Sequence, residues 1–122
     1  MGHGNEIVIA DGNFPCHTVS QNVIRADGLT GTEILKAIME LMPLDSYSEQ
    51  QVFLMEVAPG DNYKPEIWND YKEILQSSGE PFSIGYIERF AFYERAKKSY
   101  AVIATGEEAL YANIILKKGV VK

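Results

Sequence analysis

The sequence predicts an α/β sandwich, and three observations predict it. Short β-rich apolar runs alternate along the chain with stretches whose apolar residues fall at helical spacing. Turn chemistry marks each change of period. The length, 122 residues, is enough to enclose one hydrophobic core and leaves little for a second. With no internal repeat, one domain over residues 1–122 is expected.

Glu6 to Ala10 form the first strand, which Asp11-Gly12-Asn13 and Pro15 break into a loop. Val23 to Ala26 is a second short strand. Thr30 and Glu33 have the spacing of a capping box, and Ile34, Leu35, Ile38, Leu41 and Met42 follow on one helical face until Pro43. Val52 to Val57 is apolar except for Glu56 and ends at Pro59-Gly60-Asp61, the pattern of a strand buried on both faces. A second helix starts near Pro65, carries Ile67, Tyr71, Ile74 and Leu75 on one face, and stops at Ser77-Ser78-Gly79. Phe82 to Tyr86 is the next strand. Glu88 to Lys98 lacks proline and glycine and spaces Phe90, Tyr93, Glu94 and Lys97 by three and four, which predicts a third helix. Tyr100 to Ala104 and Ala112 to Leu116 are the closing strands, parted by Thr105-Gly106-Glu107.

Composition excludes several function classes. Apolar residues make up 46% and are spread along the chain, so the whole of it should fold. The net charge is −6 and no stripe of lysine or arginine is present, so nucleic acid is not an expected partner. No apolar segment approaches the roughly 18 residues of a membrane span, and no charged leader precedes an apolar stretch. No membrane contact is expected, and the expected location is the cytoplasm. The single cysteine, Cys16, forms no internal disulfide and reads as an inert small residue. His3 and His17 are the only histidines, and with one cysteine they make no recognised ligand set, so no metal is expected. Gly2-His3-Gly4 precedes a strand where a nucleotide loop would follow one, so no nucleotide cofactor is expected either.

Several residues have the chemistry of a small-molecule site. His3 stands between two glycines, and histidine is the side chain that most readily gives and takes a proton near neutrality. A solvated histidine in a frayed terminus has the same local sequence. Asp11 ends a strand, where α/β folds place ligand-binding groups, but Asp-Gly is also a turn pair and recurs at Asp27-Gly28. Arg89, Phe90, Phe92, Tyr93, Glu94 and Arg95, then Tyr111 and Asn113, mix hydroxyl-binding groups with aromatic rings on which the apolar face of a sugar rests. At least one of Phe90, Phe92 and Tyr93 should belong to the core.

Longer motifs go further. Gly2-His3-Gly4-Asn5-Glu6-Ile7 runs to Asp11 and Asn13-Phe14-Pro15; Ile24-Arg25-Ala26-Asp27-Gly28 and Pro43-Leu44-Asp45-Ser46-Tyr47 follow. Then come Glu88-Arg89-Phe90-Ala91-Phe92-Tyr93-Glu94-Arg95-Ala96, Thr105-Gly106-Glu107, and Tyr111-Ala112-Asn113 running to Gly119. In this order they resemble the ribose pyranase and fucose mutarotase family, on its fucose branch. The resemblance implies a layered sandwich with a mixed sheet and an isomerase that interconverts the anomers of L-fucose without metal or cofactor. It makes His3 the proton donor and assigns sugar binding to Asp11, Arg89 and the stretch Tyr111, Ala112, Asn113, with Asp45 matching an aspartate implicated in animal members. Arg89 separates the branches, since similar ribose pyranases tend to carry histidine there.

Anomer exchange needs a proton delivered to the ring oxygen and another removed from the anomeric hydroxyl. His3 is the expected donor, with Tyr111 or Asp11 as the acceptor. The resemblance also implies a homo-oligomer, a pentameric ring or a decamer of stacked rings, with sites between subunits. Family members carry about 20 further residues before the Gly-His motif, read as an amphipathic helix; the sequence here starts at Met1, immediately before the motif, so either a truncated chain or a packing element supplied otherwise is expected. The rival expectations are a ribose pyranase using the same acid-base chemistry, and a monosaccharide-binding module without activity.

Overall fold

Alternation of side chains along the strands decides how the layers of this protein form. In β1 (Glu6–Ala10) Val8 and Ala10 face one side of the sheet and Ile9 the other; in β3 (Val52–Met55) Phe53 and Met55 oppose Val52 and Leu54. In β6 (Ile114–Lys117) Ile115 opposes Ile114 and Leu116. Each central strand therefore needs cover on both faces. The structure, a computed structural model, describes Gly2 and residues 4–119. In it α2 (Gly31–Leu41) and α3 (Ile67–Ser77) cover one face through Leu35, Met39, Ile67, Tyr71 and Leu75. The short α1 (Cys16–Val19) and α4 (Arg89–Lys97) cover the other through Cys16, Val19, Phe92 and Ala96. The result is the predicted layered α/β sandwich.

With β2 (Val23–Ala26), β4 (Ile84–Ile87) and β5 (Ala101–Thr105), the sheet has the order β2-β5-β1-β6-β3-β4. β5 runs parallel to β1 and β2, and β4 parallel to β3. β6 is antiparallel to both β1 and β3, so five strands point one way and β6 lies reversed among them. The sheet is mixed, and its topology brings the carboxyl ends of the five strands and the start of β6 to one edge. The loops after β1, β3 and β4 thus meet the segment that enters β6.

Local chemistry explains where the elements begin and end. Thr30 and Glu33 form the full capping box of α2. The Glu88 side chain caps α4, accepting from Phe90 and Ala91 N–H at 2.6 and 3.1 Å. Gly79 ends the helical region with φ +78°, the left-handed conformation that suits glycine. Arg95 reaches back from α4 to Glu6 with two hydrogen bonds of 2.8 and 2.6 Å, its guanidinium lying over the Phe53 ring.

Several boundaries differ from expectation: β3 ends at Met55 rather than Val57, β5 is displaced by one residue, and three further differences have a local cause. α1 was expected as loop because Pro15 reads as a breaker, yet a proline before a helix costs it nothing, and the Pro15 carbonyl accepts from Val19 N–H at 3.0 Å. β4 starts at Ile84 rather than Phe82, because the Gln51 side chain takes the Ser83 N–H at 2.9 Å just before the strand. β6 starts at Ile114 rather than Ala112, because Tyr111 adopts φ +56° and turns the chain out of line. No helix among the described residues is long and apolar enough to cross a membrane.

Phe92 is fully buried between α4 and the sheet, whereas Phe90, two residues earlier, is 62% exposed. Phe92→Ala should cost about 3–5 kcal/mol in urea unfolding, by lost burial and the cavity left behind. Phe90→Ala should change stability by no more than about 0.5 kcal/mol. Equal effects would place the α4 packing face elsewhere.

Candidate active site

The turn after β1 buries a carboxylate. Asp11 is 4% exposed, its Oδ1 accepts from Asn13 N–H at 3.0 Å, and its Oδ2 accepts from Ala112 N–H at 3.3 Å. Burial pushes its pKa above the ordinary 3.8, and the nearby Glu107 carboxylate adds to this, while N–H groups of Asn13, Ala112 and Phe14 pull the other way. The Asp11 N–H donates to Asn113 Oδ1 at 2.7 Å. With that oxygen engaged, the Asn113 NH₂ group is what the amide offers to a ligand.

The segment entering β6 is held from behind. Trp68 Nε1 donates to the Tyr111 carbonyl at 2.8 Å, and the Tyr71 hydroxyl donates to the Ala112 carbonyl at 2.6 Å. Burial pushes the Tyr71 pKa well above 10, so that hydroxyl remains a donor at any physiological pH. These bonds fix the backbone on either side of the left-handed Tyr111 and project its ring over the turn between β3 and α3. There its hydroxyl donates to Asp61 Oδ2 at 3.1 Å and accepts from Ala58 N–H at 3.2 Å, and Tyr63 stacks on the ring with centroids 6.0 Å apart. Glu107 ties the remaining parts together. Its carbonyl accepts from Gly12 N–H at 2.8 Å and its carboxylate accepts from Gly31 and Ala109 N–H at 3.0 and 3.1 Å.

Between these pieces lies a cleft of about 250 Å³, close to the lower end of the ligand-pocket range. Asp11, Glu56, Asp61, Arg89, Tyr111 and Asn113 supply its polar groups, and Phe14, Met55 and Tyr93 its apolar side. Arg89 opens α4 with its guanidinium carbon 4.9 Å from the Phe90 ring centroid. A permanent cation, carboxylates, an amide and a phenol around an aromatic wall are suited to a small polyhydroxylated ligand.

The structure thus gathers Asp11, Arg89, Tyr111, Ala112 and Asn113 at one edge. Asp45 lies at the other, where its N–H donates to the Lys117 carbonyl at 3.0 Å and its carboxylate accepts from Tyr47 N–H and the Ser48 hydroxyl at 2.9 and 2.7 Å. The Gly4 N–H donates to the Lys118 carbonyl at that same edge. His3 itself lies outside the described residues. Asn5 and Asp11 bracket β1 from opposite ends, roughly 20 Å apart at about 3.3 Å per residue. Asp27 pairs with Arg25 on the exposed surface, so of the two Asp-Gly pairs only the first enters the cleft. Cys16 is buried, and burial pushes its thiol pKa up, which keeps it unreactive. Among the described residues no three His, Cys, Asp or Glu side chains gather as a metal set. Sequence reasoning missed Asp61, Trp68 and Glu107. Asp61 sits in a Pro-Gly-Asp turn and Trp68 in a helix, and the only legible signal was the Thr105-Gly106-Glu107 motif.

The model of the RbsD / FucU transport protein family matches residues 1–121. Fucose mutarotase of Danio rerio is 50% identical over 127 residues, spanning 99% of this chain and 82% of the relative. The human fucose mutarotase is 49% identical over 126 residues, spanning 98% and 82%. The fold is similar to the crystal structure of fucose mutarotase from Streptococcus pneumoniae in complex with L-fucose, with TM-score 0.95 and 50% identity, covering 100% of this chain and 87% of that one. RbsD of Bacillus subtilis, solved with D-ribose, has TM-score 0.72 and 25% identity over 100% of this chain and 87% of its own. On sequence and fold together, the chain belongs to the RbsD / FucU family.

Proposed function

We propose that this protein is an L-fucose mutarotase, which interconverts the α and β anomers of L-fucose by acid-base opening and closing of the sugar ring. The observation that carries this is the cleft of Asp11, Arg89, Tyr111 and Asn113, in a chain half identical to a fucose mutarotase solved with L-fucose. The chemistry asks for little else. A proton reaches the ring oxygen, another leaves the anomeric hydroxyl, the transient aldehyde rotates, and the ring recloses. No electron moves, so the reaction itself calls for no redox cofactor.

In this scheme His3 donates to the ring oxygen, and Asp11, Arg89, Ala112 and Asn113 hold sugar hydroxyls. Arg89 stays protonated, so its work is binding rather than proton removal. Within one chain, the glycines flanking His3 and the Asp11 cleft belong to opposite sheet edges, with Asp45 beside the former. We therefore assign His3 and Asp45 to a neighbouring subunit's cleft, in a ring-like homo-oligomer of pentameric rings or a decamer. The cytoplasm is the proposed location.

Saturation-transfer NMR on L-fucose, D-ribose and D-galactose tests the function and the preference together. Acceleration of L-fucose exchange above the others is expected; no acceleration of any would leave only a binding module. His3→Ala should slow exchange by about 10²–10⁴-fold while the protein keeps its fold. Mixed after subunit exchange, His3→Ala and Arg89→Ala should regain part of the activity, because some interfaces then hold both residues. Mixtures that stay inactive despite confirmed exchange would count against a shared site.

Asp11 gives a separate test through pH. Its folded-state pKa lies above its unfolded value, so the folded chain holds this proton more tightly and stability falls as pH rises from 3.8 through the folded value. Urea midpoints measured from about pH 4 to pH 8 should show that decline in the unsubstituted protein and lose it in Asp11→Asn, which should also bind L-fucose more weakly. Parallel pH profiles would mean that Asp11 is not the buried acid.

A further inference from the structure

The Tyr111 phenol has partners that the scheme above does not use. A phenol carries one proton and two acceptor lone pairs. The Ala58 N–H, 3.2 Å away, is a donor and takes one lone pair; the phenolic proton goes to Asp61 Oδ2 at 3.1 Å. One lone pair remains, and the cleft is the side left to it. Tyr111 therefore meets a ligand as an acceptor, with its own proton already committed to a carboxylate. The arrangement is fixed from both ends. Asp61 Oδ1 accepts from Tyr63 N–H at 2.9 Å, which sets the plane of the carboxylate, and the Trp68 bond to the Tyr111 carbonyl sets the base of the ring.

We infer that Asp61 is a positioning residue for anomer exchange, acting through Tyr111 by aiming the phenol as an acceptor and taking up its proton. The inference rests on the mutarotase reading. In ring opening, the anomeric O–H bond breaks and its proton joins Tyr111 Oη as the original phenolic proton passes to Asp61 Oδ2. The C1 carbonyl forms as the bond from C1 to the ring oxygen breaks, and the acid's proton goes to the ring oxygen. Closure on the other face reverses every transfer, so the protein ends as it began. The bonds of Asp11 go to backbone N–H groups, whereas Asp61 accepts the phenolic proton itself and lies on an exposed turn, where that proton can exchange with water.

The test compares the unsubstituted protein with Asp61→Asn, Asp61→Glu, Tyr111→Phe and the double variant Asp61→Asn/Tyr111→Phe, by saturation-transfer NMR on L-fucose across pH. Asp61→Asn keeps an acceptor oxygen but cannot take a proton, so kcat should fall by about 10²-fold with KM changed by less than about twofold. Tyr111→Phe should lose as much, and the double variant little more, because the two residues act as one unit. Asp61→Glu should recover part of the rate. Unaltered kcat in a folded Asp61→Asn, losses confined to KM, or losses that multiply in the double variant would overturn the role of Asp61. If Asp61→Asn does not fold, a folded Asp61→Glu with kcat lowered yet above that of Tyr111→Phe supports the role, and one with the unsubstituted rate, or wholly inactive, overturns it. An unsubstituted protein that leaves exchange at its uncatalysed rate would overturn the mutarotase reading, and this inference with it.

Discussion

The cleft depends on a carboxylate buried at the end of a central strand. An ion in such a place is costly unless its oxygens are bonded, and here both are, to N–H groups from two segments far apart in the chain. Oδ1 holds the turn after β1 and Oδ2 holds the entry to β6, with Asn113 returning a bond to the Asp11 backbone. Together these bonds hold a short segment in place, against the cost of burying the acid that raises its pKa. The left-handed Tyr111 lies directly beside that segment. Without the carboxylate, two N–H groups at the cleft floor would lose their acceptors together.

Packing and positioning use the same side chains. Tyr71 is fully buried against the sheet with Ile67 and Leu75, yet its hydroxyl is also what holds the Ala112 carbonyl. Trp68, one turn away on the same helix, packs beside them and holds the Tyr111 carbonyl. α3 therefore cannot shift against the sheet without moving the backbone at the cleft. Rigid secondary structure behind a site holds it more closely than a loop does, and here the support consists of two aromatic side chains.

Much of this was legible in the sequence where the signal is local. The capping box of α2, the bounds of β1 and the core face of α3 follow from spacing alone. Asp11, Arg89, Tyr111 and Asn113 were singled out by their chemistry and by family motifs, and the structure gathers them at one edge. What stayed hidden depends on distance along the chain. Nothing local tells that β6 runs against its neighbours, and only that reversal brings Asn113 to Asp11. Asp61 reads as a turn residue, and its bond to Tyr111 spans 50 positions and requires a positive φ that no tyrosine advertises. Pro15 was read as the end of order when it begins a helix, because the same lost N–H serves both.

The place of β1 in the sheet has a consequence for synthesis. Its two neighbours are β5 and β6, paired through Ile7 with Ala101 and Leu116, so the strand made first waits for the strands made last. Translation at about 5–20 residues per second leaves that interval at roughly 5–20 s. During it Val8 and Ile9, wholly sequestered in the finished molecule, have no sheet to enter. Contacts so remote in sequence also slow folding once the chain is released. β1 thus stays unpaired until β5 and β6 are made, and the cleft forms only once β6 is in place.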